Sequence, residues 1–72
     1  MNTFEKASIR ADVLQSAYNS ISWDVSNLKE RLDRYKSLNA ESDTHDYDGE
    51  IENVSFRLSV YDAIEKALEK LL

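Results

Sequence analysis

The sequence predicts an all-α fold: a two-helix antiparallel hairpin with a long first helix and a shorter second one. Three observations carry that reading. Helix breakers are scarce, since Pro is absent and Gly occurs once, at Gly49, in a chain rich in Leu, Ala, Glu, Lys and Ser. Apolar side chains recur at helical spacing through two long stretches. Between them lies one polar interval, DTHDYDGEIE from Asp43 to Glu52, which holds the only His and the only Gly. The 72 residues form one domain, 1–72, with room for only a thin core.

The first helix is predicted from about residue 3 to about residue 38. Phe4, Ala7, Ala11, Leu14, Tyr18, Ile21, Val25, Leu28, Leu32 and Tyr35 follow one another at alternating spacings of three and four. That alternation is the a/d seam of a heptad repeat, which lays one apolar line along a helix for a neighbouring helix to cover. Asn2, with Glu5 three residues later, forms a capping-box pattern at its start. A second line, Ile9, Val13, Ala17, Ser20 and Trp23, lies roughly opposite the seam and is made of small and apolar groups. Lys29, Arg31, Arg34 and Lys36 read as a solvated face near the helix C-terminus, where cations suit the macrodipole, with an anion site as the alternative.

The connecting loop is predicted over about 39–47. Asp46 or Asp48 is the expected N-cap of the second helix, with Glu50 and Glu52 in its first turn and Gly49 easing the turn. The second helix follows, from about 48 to 72. Its seam is Ile51, Val54, Leu58, Tyr61, then Ile64 or Glu65, then Leu68 and Leu72. A further stripe, Phe56, Val60, Ala63, Ala67 and Leu71, widens the apolar surface beyond what one neighbouring helix covers. The helices differ in length, roughly 54 Å against roughly 37 Å at 1.5 Å per residue. Folded back, the second reaches the first only from about Leu14 onwards, which leaves Phe4, Ala7 and Ala11 without an intrachain partner. These surfaces predict a homodimer closing into a four-helix bundle, or a complex with another helical protein. The expected interface residues are Phe4, Ala7, Ile9, Ala11, Val13, Trp23, Phe56, Val60 and Leu71. Trp23 and Phe56 lie off the seams and serve either that interface or a separate partner.

Charge narrows the function. The formal net charge is -5, and six of the fourteen acids (Glu41, Asp43, Asp46, Asp48, Glu50, Glu52) form one block without Lys or Arg. The other eight acids face nine bases, so the acidity belongs to the loop. A nucleic-acid-binding surface needs the opposite sign. With no Cys, disulfides and thiolate metal sites are excluded. No apolar run reaches membrane-spanning length and no signal pattern opens the chain, so a cytoplasmic protein is expected, with no membrane partner.

Placing Gly49 at the sixth position of a calcium-binding helix-loop-helix puts Asp46 and Asp48 on ligand positions three and five, and Ile51 on the hydrophobic position eight. Asp46 and Asp48 are therefore the candidate metal ligands. The match fails at positions one and twelve, which are Thr44 and Ser55 instead of an Asp and a bidentate Glu. His45 is a lone imidazole, and no nucleophile with an orienting group, Gly-rich phosphate loop or carboxylate pair is legible. The expectation is a non-enzymatic protein–protein interaction module, an adaptor, co-chaperone or regulator. It would use no cofactor, no small-molecule substrate and no nucleic acid. Two alternatives remain at this level: a calcium-responsive helix-loop-helix, and an inhibitor that imitates nucleic acid towards a basic partner.

Overall fold

A computed structural model describes residues 1–41 and 45–72. The fold is an all-α helical hairpin. Helix α1 spans Thr3–Glu41 and helix α2 spans Asp48–Leu71. The two lie side by side in a rod of 62 × 15 × 14 Å. Its radius of gyration is 17.5 Å, against about 11 Å for a compact chain of this length.

Helix α1 begins where the capping pattern places it. The Asn2 side-chain oxygen accepts the Glu5 N–H at 2.7 Å, and the Asn2 carbonyl accepts the Lys6 N–H at 3.1 Å. The first of these satisfies one of the orphan donors that open any helix, and the second is the first intrahelical bond. The seam then does what its spacing implies. Leu14, Tyr18, Ile21, Val25, Leu32 and Tyr35 are half-buried and Leu28 is 9% exposed, whereas Phe4, Ala7 and Ala11 are exposed. On α2, Ile51, Leu58, Tyr61, Glu65 and Leu68 are half-buried, and Val54, at 4% exposure, is the most deeply placed side chain among those described.

Polar contacts fix the register. Tyr18 Oη donates to Glu69 Oε1 at 3.1 Å, Ser22 Oγ to Glu65 Oε2 at 3.3 Å, and Tyr61 Oη to Asp24 Oδ2 at 3.5 Å. At the closed end the Tyr35 and Tyr47 rings stack with centroids 5.5 Å apart. The carboxylate of Glu65 takes the inward position that the sequence leaves open between Ile64 and Glu65. At 100° per residue Glu65 falls between Leu58 and Leu68 in angle, while Ile64 falls beyond Leu68 and stays exposed. A hydroxyl on the facing turn, that of Ser22, makes the carboxylate tolerable there.

The turn differs from expectation in three ways. First, α1 runs to Glu41, three residues beyond the expected end. Asn39 lies inside the helix and replaces the predicted start of the loop. Its amide nitrogen donates to Asp48 Oδ1 and its oxygen accepts the Tyr47 N–H, both at 2.9 Å. The last turn of α1 consequently holds no base. Second, neither Asp46 nor Asp48 caps α2: Tyr47 is the N-cap and makes no side-chain cap bond. Asp48 is already the first helical residue, its carboxylate turned to Asn39. Third, Gly49 does not make the turn. It is helical without a positive φ, and the left-handed position is His45, at φ 55°. Among the described residues no helix is long and apolar enough to cross a membrane.

Candidate interaction surface

The interhelical contacts divide the hairpin into two broad faces. Ser22–Glu65 and Tyr18–Glu69 mark one. Helical phase puts Gln15, Ser26, Lys29, Ser55, Asp62 and Lys66 on the same side, so this face is polar. It carries the Lys66–Asp62 ion pair at 2.9 Å, which holds the Lys66 ammonium above its ordinary pKa, chiefly through its hydrogen bond to Asp62. Tyr18 is likewise raised, first by its hydrogen bond to the Glu69 carboxylate and then by that group's charge.

Asp24 and Tyr61 mark the opposite face, where a groove of about 310 Å³ opens between the helices. Trp23, Asp24, Asn27, Leu28 and Arg31 line it from α1, and Arg57 and Tyr61 from α2. Steps of seven place further residues on this face: Ala17 from Asp24, and Ile64 and Leu71 from Arg57. Val13 and Val60 lie one turn before Ala17 and Ile64. Part of each secondary stripe of the sequence thus falls on one side of the hairpin: Val13 and Ala17 from α1, Val60 and Leu71 from α2. Val13, Val60, Ile64 and Leu71 are all exposed there.

Each expected interface residue has a definite place. Phe4, 81% exposed, Ala7 and Ala11 lie on the part of α1 that projects past the end of α2, with Ile9 exposed on another side of the same arm. Trp23 walls the groove and is 68% exposed. Phe56 is 70% exposed and points away from α1, about a quarter-turn from the groove-face line of α2. Val60 and Leu71 are on the groove face. The structure therefore gathers Val13, Val60 and Leu71 on one face with Trp23 at its margin. It puts Phe4, Ala7 and Ala11 on a separate arm and Phe56 on an outer edge.

The groove's polar members are what the periodicity did not single out. Arg31 belongs to the basic run that reads as a solvated face, and Arg57 has no place in either apolar stripe of α2. Arg57 Nε donates to Asn53 Oδ1 at 2.8 Å, which orients the guanidinium without neutralising it. Among the described residues the Lys or Arg ion pair is Lys66–Asp62, so neither Arg31 nor Arg57 has a carboxylate partner among them. The signal that could have found them is the seven-residue interval linking Asp24 to Arg31 and Arg57 to Ile64.

At the acidic tip, Asp46 and Asp48 are exposed. The Asp48 carboxylate is engaged by Asn39, and the His45 Nδ1 atom lies 3.7 Å from it. Among the described residues no three His, Cys, Asp or Glu side chains converge on a point where an ion could sit. Thr44, position one of the calcium-loop alignment, lies outside the described residues. Position six of that alignment, Gly49, is inside α2, so Ile51 and Ser55 are on helix rather than loop. No protein-family model matches the chain, and no curated protein or solved structure matches it at a significant level.

Proposed function

We propose that the chain is a non-enzymatic interaction module, a helical hairpin that acts as an adaptor, co-chaperone or regulator by docking its groove face and its projecting arm on helical partners. A second copy closing a four-helix bundle is the simplest of these partners. One observation carries the reading. The hairpin exposes 5620 Å², whereas a compact monomer of 8.3 kDa exposes about 4,600 Å². The excess of about 1,000 Å² is close to the roughly 800 Å² that each partner buries in a standard specific interface. Exposed Val13, Val60, Ile64 and Leu71 share one face with Trp23 at its margin, and exposed Phe4 lies on the projecting arm.

Sedimentation equilibrium at micromolar concentration tests the reading, with Trp23 emission as a second readout because it is the chain's one Trp. The expected result is a mass above 8.3 kDa and emission that shifts to the blue as the concentration rises. A monomer of constant emission at all concentrations, melting cooperatively by circular dichroism, would show that the hairpin needs no cover and would sink the proposal.

A further inference from the structure

We infer that the groove face seats a second copy of the chain in one specific arrangement. The two hairpins pack antiparallel with their acidic tips at opposite ends, and Asp24 of each meets Arg31 of the other. This rests on the interaction-module reading above and specifies its partner and register.

The argument starts from one line on α1. Arg10, Ala17, Asp24, Arg31 and Leu38 are spaced by seven, so they share the groove face. Asp24 and Arg31 are about 10.5 Å apart along the axis, too far to pair within one helix. A two-fold interface is self-complementary, so every group must find its counterpart on an identical surface. A dyad midway between Asp24 and Arg31, perpendicular to the helices, lays α1 antiparallel on the partner's α1. Asp24 then faces the partner's Arg31 twice over. Ala17 faces the partner's Leu38, a small residue against a large one. Arg10 reaches the level of the partner's tip, where Asp46 and Asp48 are exposed. The same dyad crosses α2 beside Val60, as the pairings Tyr61–Asp24 and Ser22–Glu65 set the level of the two helices. It therefore covers Val60 and Ile64 as well.

Charge also selects against the other two-fold arrangement, with both tips at the same end. There α1 lies on the partner's α2 at the same level. Arg31 and Arg57 line one groove at nearly one level, so each Arg31 would face the partner's Arg57. That arrangement has two like-charge approaches and no opposite charges at one level, whereas the tips-apart arrangement sets two Asp24–Arg31 pairs against one like-charge approach, that of the two Arg57 side chains beside the dyad. In the tips-apart arrangement Phe4, Ala7 and Ala11 extend past the paired stretch, and the arms stay free for a different protein.

Two experiments decide it. Asp24→Arg and Arg31→Asp, each alone, should weaken self-association by roughly tenfold or more, with helicity retained. The double variant D24R/R31D should return it to within about threefold of the parent. No rescue in a folded double variant, or rescue instead by D24R/R10D, overturns the register. The chain has no Cys, so a nitroxide on Glu41→Cys gives one label per protomer. The expected label separation is about 40 Å along the axis. A separation near 70 Å, or one clearly under 30 Å, overturns the arrangement. If the parent chain is monomeric throughout, the interaction reading fails at the step of self-association. If the parent dimerises and only the charge rescue or the distance fails, that reading stands and the register alone is lost.

Discussion

His45 turns the chain with φ 55° while Gly49, the residue best suited to that conformation, is spent four residues later inside α2. Left-handed backbone costs an ordinary L-residue roughly 1–2 kcal/mol, with His, Asn and Asp the better-tolerated non-glycine types. His45→Val should therefore destabilise the hairpin by about 1–2 kcal/mol, read as a lower urea midpoint. Gly49→Ala should do the reverse. A Cβ at Gly49 meets nothing within 4 Å, and Gly in a helix is less favourable than Ala by about 1 kcal/mol. A lower melting temperature for Gly49→Ala would mean that the turn needs that residue after all. Tyr18 supplies a pH test. Its phenol holds its proton above the ordinary value because Glu69 accepts its hydrogen bond. The folded state thus binds that proton more tightly than the unfolded chain does. The contact is fully present below the ordinary phenol range and is lost as pH rises through the raised folded value. Glu69→Gln should bring the Tyr18 titration midpoint down towards the ordinary phenol value, followed by ring-carbon NMR shifts; an unmoved midpoint would show that the contact does not form in solution.

At the scale of the element, the seam is uneven. Leu28 and Val54 are the two buried side chains among those described, and every other seam position is at best half-buried. Their loss should dominate. Leu28→Ala should cost about 2–3 kcal/mol, a large share of the stability a domain of this size holds. Leu28→Asp should abolish the helical circular dichroism signal, because a charge would be left there unpaired. An Ala variant at Leu28 no worse than one at Leu14 would show that the seam has no centre. Glu65 is the converse case. It occupies a seam position with one hydroxyl for company at 3.3 Å. Glu65→Leu should raise hairpin stability by about 1 kcal/mol, visible as a higher midpoint in thermal melts. A fall instead would show that the Ser22 contact outweighs the added apolar burial.

For the whole molecule the decisive quantity is length. A rod 62 Å long and 14 Å thick has little interior, so the groove face and the arm of α1 are exposed by geometry and not by a local accident of packing. The two surfaces are separable. Phe4→Asp touches a side chain 81% exposed on the arm. It should leave the hairpin melt of the isolated chain unchanged, and it lies outside the stretch paired in the proposed tips-apart dimer. A dimer dissociated by Phe4→Asp would place the arm inside the self-interface. Val60→Asp, on the groove face, should prevent the proposed dimer from forming while the helical signal of the monomer persists.

The heptad spacing was enough, by itself, to determine two helices, their seams apart from the choice between Ile64 and Glu65 and the exposed Leu72, and the mismatch that leaves Phe4, Ala7 and Ala11 past the end of α2, because a period of three and four has no other regular realisation. The Asn2 cap was legible for the same reason: both halves of the contact lie within four residues. The sequence did not decide the turn. Asn39 and Tyr47 are eight residues apart and become hydrogen-bonded only once α1 has continued to Glu41. Nor did it show that Asp24, Arg31, Arg57 and Tyr61 share one groove with Trp23 at its wall. Periodicity gives each residue an angle about its own axis. Which side of the hairpin that angle faces depends on how the two axes are rotated and shifted against one another, and contacts between residues 37 to 51 positions apart set that rotation.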